Sequence, residues 1–167
     1  MAYELAPIYL QLRDEAFHWN SQAPEGALRG VIMETGYDHG IVTLAAMSDS
    51  SISVYFSHGA GMIGAGSHDR PAAAARNLAV GVARNIEHFK KISDTNVPKP
   101  GEVKFFVLID RDILGASAKE DDLGQNRHKL SPVFHAAHAV LAEVRQLQEQ
   151  AQMQQRDAQQ KPPGGDG

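Results

Sequence analysis

The chain has 167 residues with no cysteine, and 16 Lys+Arg against 20 Asp+Glu give a formal net charge of −4. This length suits a single domain, and the lack of cysteine excludes a disulfide-stapled scaffold, a Cys-ligated metal centre and a thiol enzyme. The acidic balance argues against a general nucleic-acid binder, and no apolar run reaches the roughly 18 residues of a membrane span. Since the N-terminus also lacks a basic-then-apolar signal pattern, we expect a cytoplasmic protein.

The first predicted element is an amphipathic helix that ends before residues 20–26. Its apolar residues recur at steps of three and four, which places them on one helix face. Residues 20–26 are polar and contain Pro and Gly, as is typical of a loop. The buried face is predicted to consist of Leu5, Ile8, Leu12, Ala16 and Trp19.

Four short strands are predicted next, because the apolar runs become short and rich in Val, Ile and aromatic residues. Turn-forming clusters separate them, and connections this short allow only antiparallel neighbours, so we expect a four-stranded meander. The second strand is apolar on both faces, which predicts cover on both sides of the sheet. The strands are predicted at residues 28–35, 41–47, 51–57 and 60–65.

A long helix is predicted after the meander. Asp69 is a good N-cap residue, and Lys90 and Lys91 suit the negative end of the helix dipole. The apolar residues again follow a helical spacing, so one face of this helix is expected to pack on the sheet. That face is predicted to consist of Ala75, Leu78, Val82, Ile86 and Phe89.

Two further strands and a last helix complete the predicted order. The strands are expected at residues 103–109 and 113–118, and a polar surface loop at residues 119–129. The last helix begins at Ser131 as N-cap, with proline at the first helical position, and continues to about residue 155.

These elements predict one α+β domain at residues 1–154, with an antiparallel sheet of five or six strands and three helices packed on it. The sheet combines the four-stranded meander with a C-terminal hairpin, in the order α-ββββ-α-ββ-α. This order of elements is similar to that of small secretion-chaperone-type dimers, a resemblance of architecture alone. Residues 155–167 hold almost nothing to bury, so we expect a disordered Gln/Pro/Gly-rich tail.

A glycine-rich segment, residues 58–66, lies between a predicted strand and a helix. Its GxGxxG pattern holds a pyrophosphate only where a helix begins inside the motif. Here polar residues intervene and antiparallel hairpins replace the βαβ unit, so close packing of a helix on small residues is favoured. The alternative is a ligand-binding segment. Its candidate residues are His58, Gly59, Gly61, Gly64, His68 and Arg70.

The sequence predicts no catalytic residue and no cofactor. Serine, histidine and aspartate are contiguous at residues 67–69, and neighbouring side chains cannot form a catalytic triad. His135 and His138 stand three residues apart on the last helix and are weak candidate metal ligands. No carboxylate completes a local metal-binding pattern around them, so we expect structural histidines.

For each group of residues an ordinary structural role explains the pattern better than a catalytic role does. This favours a non-enzymatic protein. We expect a chaperone-like or regulatory module that acts by protein–protein contact, as a homodimer. The distal part of the last helix is expected to lack cover from its own chain, so Val140, Val144 and Leu147 are the predicted interface. The alternative is a small-ligand-binding protein or an enzyme that uses residues 58–66 with nearby His and Arg.

Overall fold

The computed structural model describes residues 3–19 and 23–160, which form a seven-stranded antiparallel sheet and four helices. The helices are α1 (Pro7–Phe17), α2 (Asp69–Arg84), α3 (Glu120–Gly124) and α4 (Ser131–Gln160). The strands are β1 (Leu28–Tyr37), β2 (Gly40–Met47), β3 (Ile52–Phe56), β4 (Gly61–Ile63), β5 (Lys90–Ile92), β6 (Glu102–Ile109) and β7 (Asp112–Lys119). The strand order is β4-β3-β2-β1-β6-β7-β5.

The α+β class and the antiparallel sheet are confirmed. The meander β1–β4 and the hairpin β6–β7 have the predicted connections, and β6 joins the meander beside β1. The predicted numbers of elements are wrong, because the described residues contain seven strands rather than five or six and four helices rather than three.

The additional strand is β5, at the place where the sequence predicts the end of the second helix. That helix ends at Arg84, where the side chain of Asn85 donates to the Gly81 carbonyl at 2.8 Å. Phe89 then inserts into the core and packs edge-to-face on Phe105 at 6.4 Å. Anchoring this ring directs the next three residues alongside β7, so they form an edge strand instead of a helix end.

The additional helix is α3, in the segment predicted as a polar loop. Its one buried side chain is Leu123, which joins the core below α4. Five residues are too few to show a helical period. The charged residues beside Leu123 are typical of a surface loop, so the sequence did not predict a helix here.

The last helix extends farther than predicted. α4 continues to Gln160, and residues 149–160 are exposed. The predicted disordered tail therefore begins, in the structure, as exposed helical turns, and residues 161–167 lie outside the described residues. Within residues 3–19 and 23–160, no helix is both long and apolar enough to cross a membrane.

One face of the sheet is covered by α2 and α4, which pack side by side. Leu78 and Val82 of α2 are buried there together with Val140 and Val144 of α4, which are 0% and 4% exposed. Leu147 is half-buried against the same cluster. The expectation that the distal helix lacks cover from its own chain is therefore wrong for Val140 and Val144, because α2 covers them.

The opposite face is covered by α1, so both faces of β2 are covered as predicted. The helix face that packs on the sheet differs from the prediction. Tyr9, Ala16 and Phe17 are buried, whereas Ile8 and Trp19 are 46% and 38% exposed. A cluster of polar side chains between α1 and the sheet accounts for this difference in the buried helix face, and it is described next.

Candidate functional site

A buried ionic network holds α1 on the sheet. Glu34 of β1 is 0% exposed and points towards α1 from the middle of the sheet. Arg13 binds its carboxylate through two hydrogen bonds, from Nε at 2.7 Å and from Nη2 at 2.8 Å. Thr43 donates to the same carboxylate at 2.8 Å, and the Tyr9 hydroxyl lies 2.7 Å from the Thr43 hydroxyl. Because Tyr9 and Arg13 are four residues apart, both reach Glu34 from one face of α1.

Burial and neighbouring charges shift the pKa values of Arg13 and Tyr9 in this network. Burial alone would lower the pKa of Arg13, but the hydrogen bonds and the charge of Glu34 outweigh burial and raise it. Burial and the nearby charge of Glu34 raise the pKa of Tyr9. Arg13 also donates to the carbonyl of Thr95, so its guanidinium links α1 to the loop before β6. The network therefore positions α1 and leaves little reactive surface exposed.

Between α1 and the β4 edge lies a groove, which we call the α1–β4 groove. Its volume is about 540 Å³. Strands β2 and β3 form its floor, α1 forms one wall, and β4 with the following 3₁₀ turn (Ala65–Ser67) forms the other. Much of its apolar surface comes from Leu12, Ala16, Ala45, Met47, Tyr55 and Ile63.

The charged residues that line the α1–β4 groove are acidic. Glu15 lies on the α1 wall and Asp49 at the turn between β2 and β3. Trp19 Nε1 donates to Asp49 Oδ2 at 2.8 Å, which ties the end of α1 to this turn. Burial alone would raise the pKa of Asp49, but hydrogen bonds from Ser51 and Trp19 outweigh burial and lower it. Asp49 therefore keeps its negative charge at neutral pH.

The outer strand β4 is an uncharged sheet edge. Its residues are Gly61, Met62 and Ile63, and Ile63 is 67% exposed. The opposite edge, β5, carries Lys90 and Lys91, and lysine on an edge strand discourages pairing with another chain. The two edges of the sheet thus differ in how accessible they are to a further strand.

Two glycines allow the groove wall to approach the β2–β3 turn. Gly64 has φ +88°, in the left-handed region that glycine adopts without strain. At Gly66 a Cβ would overlap the carbonyl oxygen of Ser50, so only glycine fits there without movement. Backbone conformation therefore explains why glycine occurs at these two positions of the glycine-rich segment.

The six candidate ligand-binding residues do not meet at one place. Gly64 lines the α1–β4 groove, whereas His58 and Gly59 lie at the β3–β4 hairpin, where the exposed His58 ring stacks on Phe56. Gly61 is in β4 itself. His68 and Arg70 are exposed at the start of α2, and Arg70 Nε lies 3.3 Å from Glu143 Oε2 of α4.

His135 and His138 both contact the ring of Phe134. The ring centroid of His135 lies 5.6 Å from that of Phe134, and the ring centroid of His138 lies 4.3 Å from it. His135 Nε2 lies 2.8 Å from Asn126 Oδ1, whereas His138 Nε2 is buried without a hydrogen-bond partner in the described structure. Burial lowers the pKa of His138, and electrostatic repulsion from His135 and Arg145 adds to this effect. No group of three or more His, Asp or Glu suited to a metal ion occurs among residues 3–19 and 23–160.

Comparison of the chain with protein-family models, curated proteins and solved structures finds no match. Sequence reasoning missed the pairing of Glu34 with Arg13, which positions the α1 wall of the groove. The available signal was a single acidic residue inside an apolar strand, together with Tyr9 and Arg13 at a spacing of four on a helix.

Proposed function

We propose that the chain is a non-enzymatic protein-interaction module that binds an extended segment of a partner protein in the α1–β4 groove. The observation that carries this proposal is the uncharged β4 edge beside a groove with an apolar floor. A segment that lies along β4 gains main-chain hydrogen bonds from the edge, and its alternate side chains enter the groove, as in other cases of strand addition.

The groove chemistry favours recognition over catalysis. Hydroxyl groups are present at Ser50, Ser51, Ser53 and Ser67. An activated serine needs a neighbouring base such as histidine or lysine. Histidine and lysine are missing from the described residues that line the groove. The carboxylates of Glu15 and Asp49 lie on its rim and supply charge for binding.

The acidic rim also indicates the chemistry of the partner. Glu15 and Asp49 attract positive charge, and the described lining contains no basic side chain to oppose them. The floor takes apolar side chains. We therefore assign the groove to an extended apolar segment that carries Lys or Arg next to its apolar residues.

The homodimer remains part of the proposal, with a different contact surface. In α4 the seam of Val140, Val144 and Leu147 continues as Ala151 and Ala158, in the exposed turns beyond the sheet. The steps from Val140 to Ala151 are four, three and four, and Ala158 follows one heptad later with Gln154 between them, which is the spacing of a coiled-coil seam with one polar position. An isolated polar helix of this kind gains stability from a partner helix. The projecting turns of a second copy would supply such a partner.

The alternative function, a small-ligand site at the glycine-rich segment, has weaker support. Of its six candidate residues, Gly64 lines the α1–β4 groove, and the basic side chains His68 and Arg70 belong to another surface. An apolar small molecule would use the same groove but would gain nothing from the β4 edge. Substitutions at that edge therefore separate the two functions.

The test is selection of a displayed library of random twelve-residue peptides against the full chain. We expect enrichment of apolar sequences that contain Lys or Arg. The variant Ile63→Lys places a charge on the edge and should weaken the selected peptides at least about tenfold, measured by fluorescence anisotropy. Glu15→Lys should weaken them as well, since it reverses the rim charge.

Val80→Lys is the matched control, because it makes the same kind of change at an exposed apolar residue of α2, on the other side of the sheet. Peptide affinity should be unchanged in this variant. The proposal fails if no peptide is enriched, or if the enriched peptides bind Ile63→Lys as tightly as the unmodified chain.

A further inference from the structure

A second cavity lies on the other flank of α1, between this helix and β7, and we call it the α1–β7 pocket. Its volume is about 740 Å³, within the range of small-molecule sites. Its apolar lining comes from Leu10, Phe17 and Ile113. Unlike the α1–β4 groove, it is lined by several arginines, so the two flanks of α1 differ in charge.

Arg29 reaches this pocket because of a β-bulge. Gly30 pairs with Leu108 and Leu28 pairs with Ile109, so Arg29 is an extra residue that has no paired residue in β6. A bulge changes the direction of a side chain. In regular alternation Arg29 would share a face with Val31 and enter the apolar core beneath α2 and α4. The bulge instead places it on the α1 side of the sheet.

The guanidinium of Arg29 is only partly satisfied. Its Nη1 donates to the carbonyl of Trp19 at 2.7 Å, and its Nε is buried with no hydrogen-bond partner in the described structure. Within residues 3–19 and 23–160, no carboxylate forms an ion pair with Arg29 or with Arg111, which projects from the turn between β6 and β7.

The other charged groups of the pocket make contacts of their own. Arg13 is neutralised by Glu34, as described above. Asp14 lies 3.4 Å from His18, and Asp110 Oδ1 accepts a hydrogen bond from a backbone N–H at 2.9 Å. Arg29 and Arg111 are therefore the guanidinium groups of the pocket that form no ion pair within residues 3–19 and 23–160.

We propose that the α1–β7 pocket binds a small organic anion, with its carboxylate or phosphate on Arg29 and Arg111 and its apolar body against Phe17 and Ile113. A planar guanidinium forms strong charge-assisted hydrogen bonds with either oxyanion. Ser93 and Thr95, whose side chains carry hydroxyl donors, line the same pocket. This site lies on the other flank of α1 from the α1–β4 groove, shares Trp19 with it, and does not depend on the function proposed for that groove.

The test uses hexanoate, hexyl phosphate and neutral hexanol as probes, with binding followed by backbone amide shifts of the full chain. We expect saturable shifts near Arg111 and Ile113 with at least one anion and none with hexanol. The tighter of the two anions identifies carboxylate or phosphate as the recognised group. Arg29→Gln should weaken binding at least about tenfold.

Arg111→Gln is a second variant at an exposed turn, where the fold does not depend on the side chain, and it should also weaken binding. Arg84→Gln, at the exposed end of α2, is the matched control and should bind like the unmodified chain. The proposal is overturned if neither anion gives saturable shifts at millimolar concentration, or if both pocket variants bind as tightly as the control.

Discussion

Glu34 determines where α1 sits, because it is a fully buried carboxylate whose counter-charge comes from that helix. A buried ion pair adds little net stability compared with apolar residues of the same shape, but removal of one partner leaves a buried charge unpaired. The Glu34–Arg13 pair therefore fixes one orientation of α1. Both cavities that flank the helix depend on this orientation.

Arg13→Met should destabilise the fold by about 3–5 kcal/mol, because Glu34 is then buried without its counter-charge. The double variant Arg13→Met/Glu34→Gln should lose less, since the amide carries no charge and can still accept from Thr43. Urea unfolding measures both values. Arg84→Met, at an exposed position, should stay within about 0.5 kcal/mol of the unmodified chain. A loss below about 1 kcal/mol for Arg13→Met would contradict the role given to this pair.

His138 gives the fold a pH dependence of known sign. Its pKa in the folded chain lies below the ordinary value of 6.5, so the unfolded chain binds the proton more readily. The free energy of unfolding then falls as pH drops through about 6.5. In His138→Leu, the loss of Tm between about pH 7.5 and about pH 5.5 should be smaller than in the unmodified chain.

The exposed His58, changed to leucine, serves as the control for this measurement and should keep the pH dependence of the unmodified chain. An equal loss of Tm in His138→Leu and in the unmodified chain would show that protonation of this buried ring does not oppose folding.

At the residue scale, sequence reasoning succeeds where side chains are apolar and fails where polar groups are buried. The alternation of β3 was predictable: Ile52, Val54 and Phe56 face α2 and α4. The buried face of α1 was not predictable, because its packing depends on the hydrogen bond between Arg13 and Glu34, which are 21 residues apart in the sequence. Periodicity counts apolar residues and gives no weight to such a pair.

At the element scale, the missed pieces are short. β5 has three residues and follows the buried Phe89, and α3 has five residues and is held by its own buried Leu123. Local propensity is weak for such segments, and tertiary contacts decide their conformation. Longer elements with a regular period, such as the meander strands and α4, were predictable because many residues carry the same signal.

Gly66 and Gly81 separate two effects of glycine on stability: the room it leaves for a close backbone approach, and the flexibility it gives to a helix. Gly66→Ala should destabilise the fold by about 1–3 kcal/mol, because the added Cβ overlaps the Ser50 carbonyl. Gly81→Ala should stabilise it by about 0.5–1 kcal/mol, since nothing lies near the added Cβ and alanine favours the helix. Thermal unfolding of both variants measures the signs. Equal effects at the two positions would refute the close approach at Gly66.

For the whole molecule, the proposed homodimer gives a direct prediction. Light scattering should report a dimer at micromolar concentration, and Ala151→Glu/Ala158→Glu should shift it towards monomer, because both charges fall on the α4 seam. Gln152→Glu/Gln159→Glu adds the same charges one position away on the same helix and should leave the dimer intact. A monomeric unmodified chain would remove the homodimer from the proposal and leave the groove function to its own test.

The central position of β1 has a consequence for how the chain is made. β1 pairs on one side with β2, which follows it directly, and on the other side with β6, which begins at Glu102. Residues 38–101 must therefore be synthesised before that second side can pair. At about 5–20 residues per second this takes several seconds, during which the nascent meander has an apolar strand with an open edge. The growing chain thus passes through a stage in which its future centre is a sheet edge.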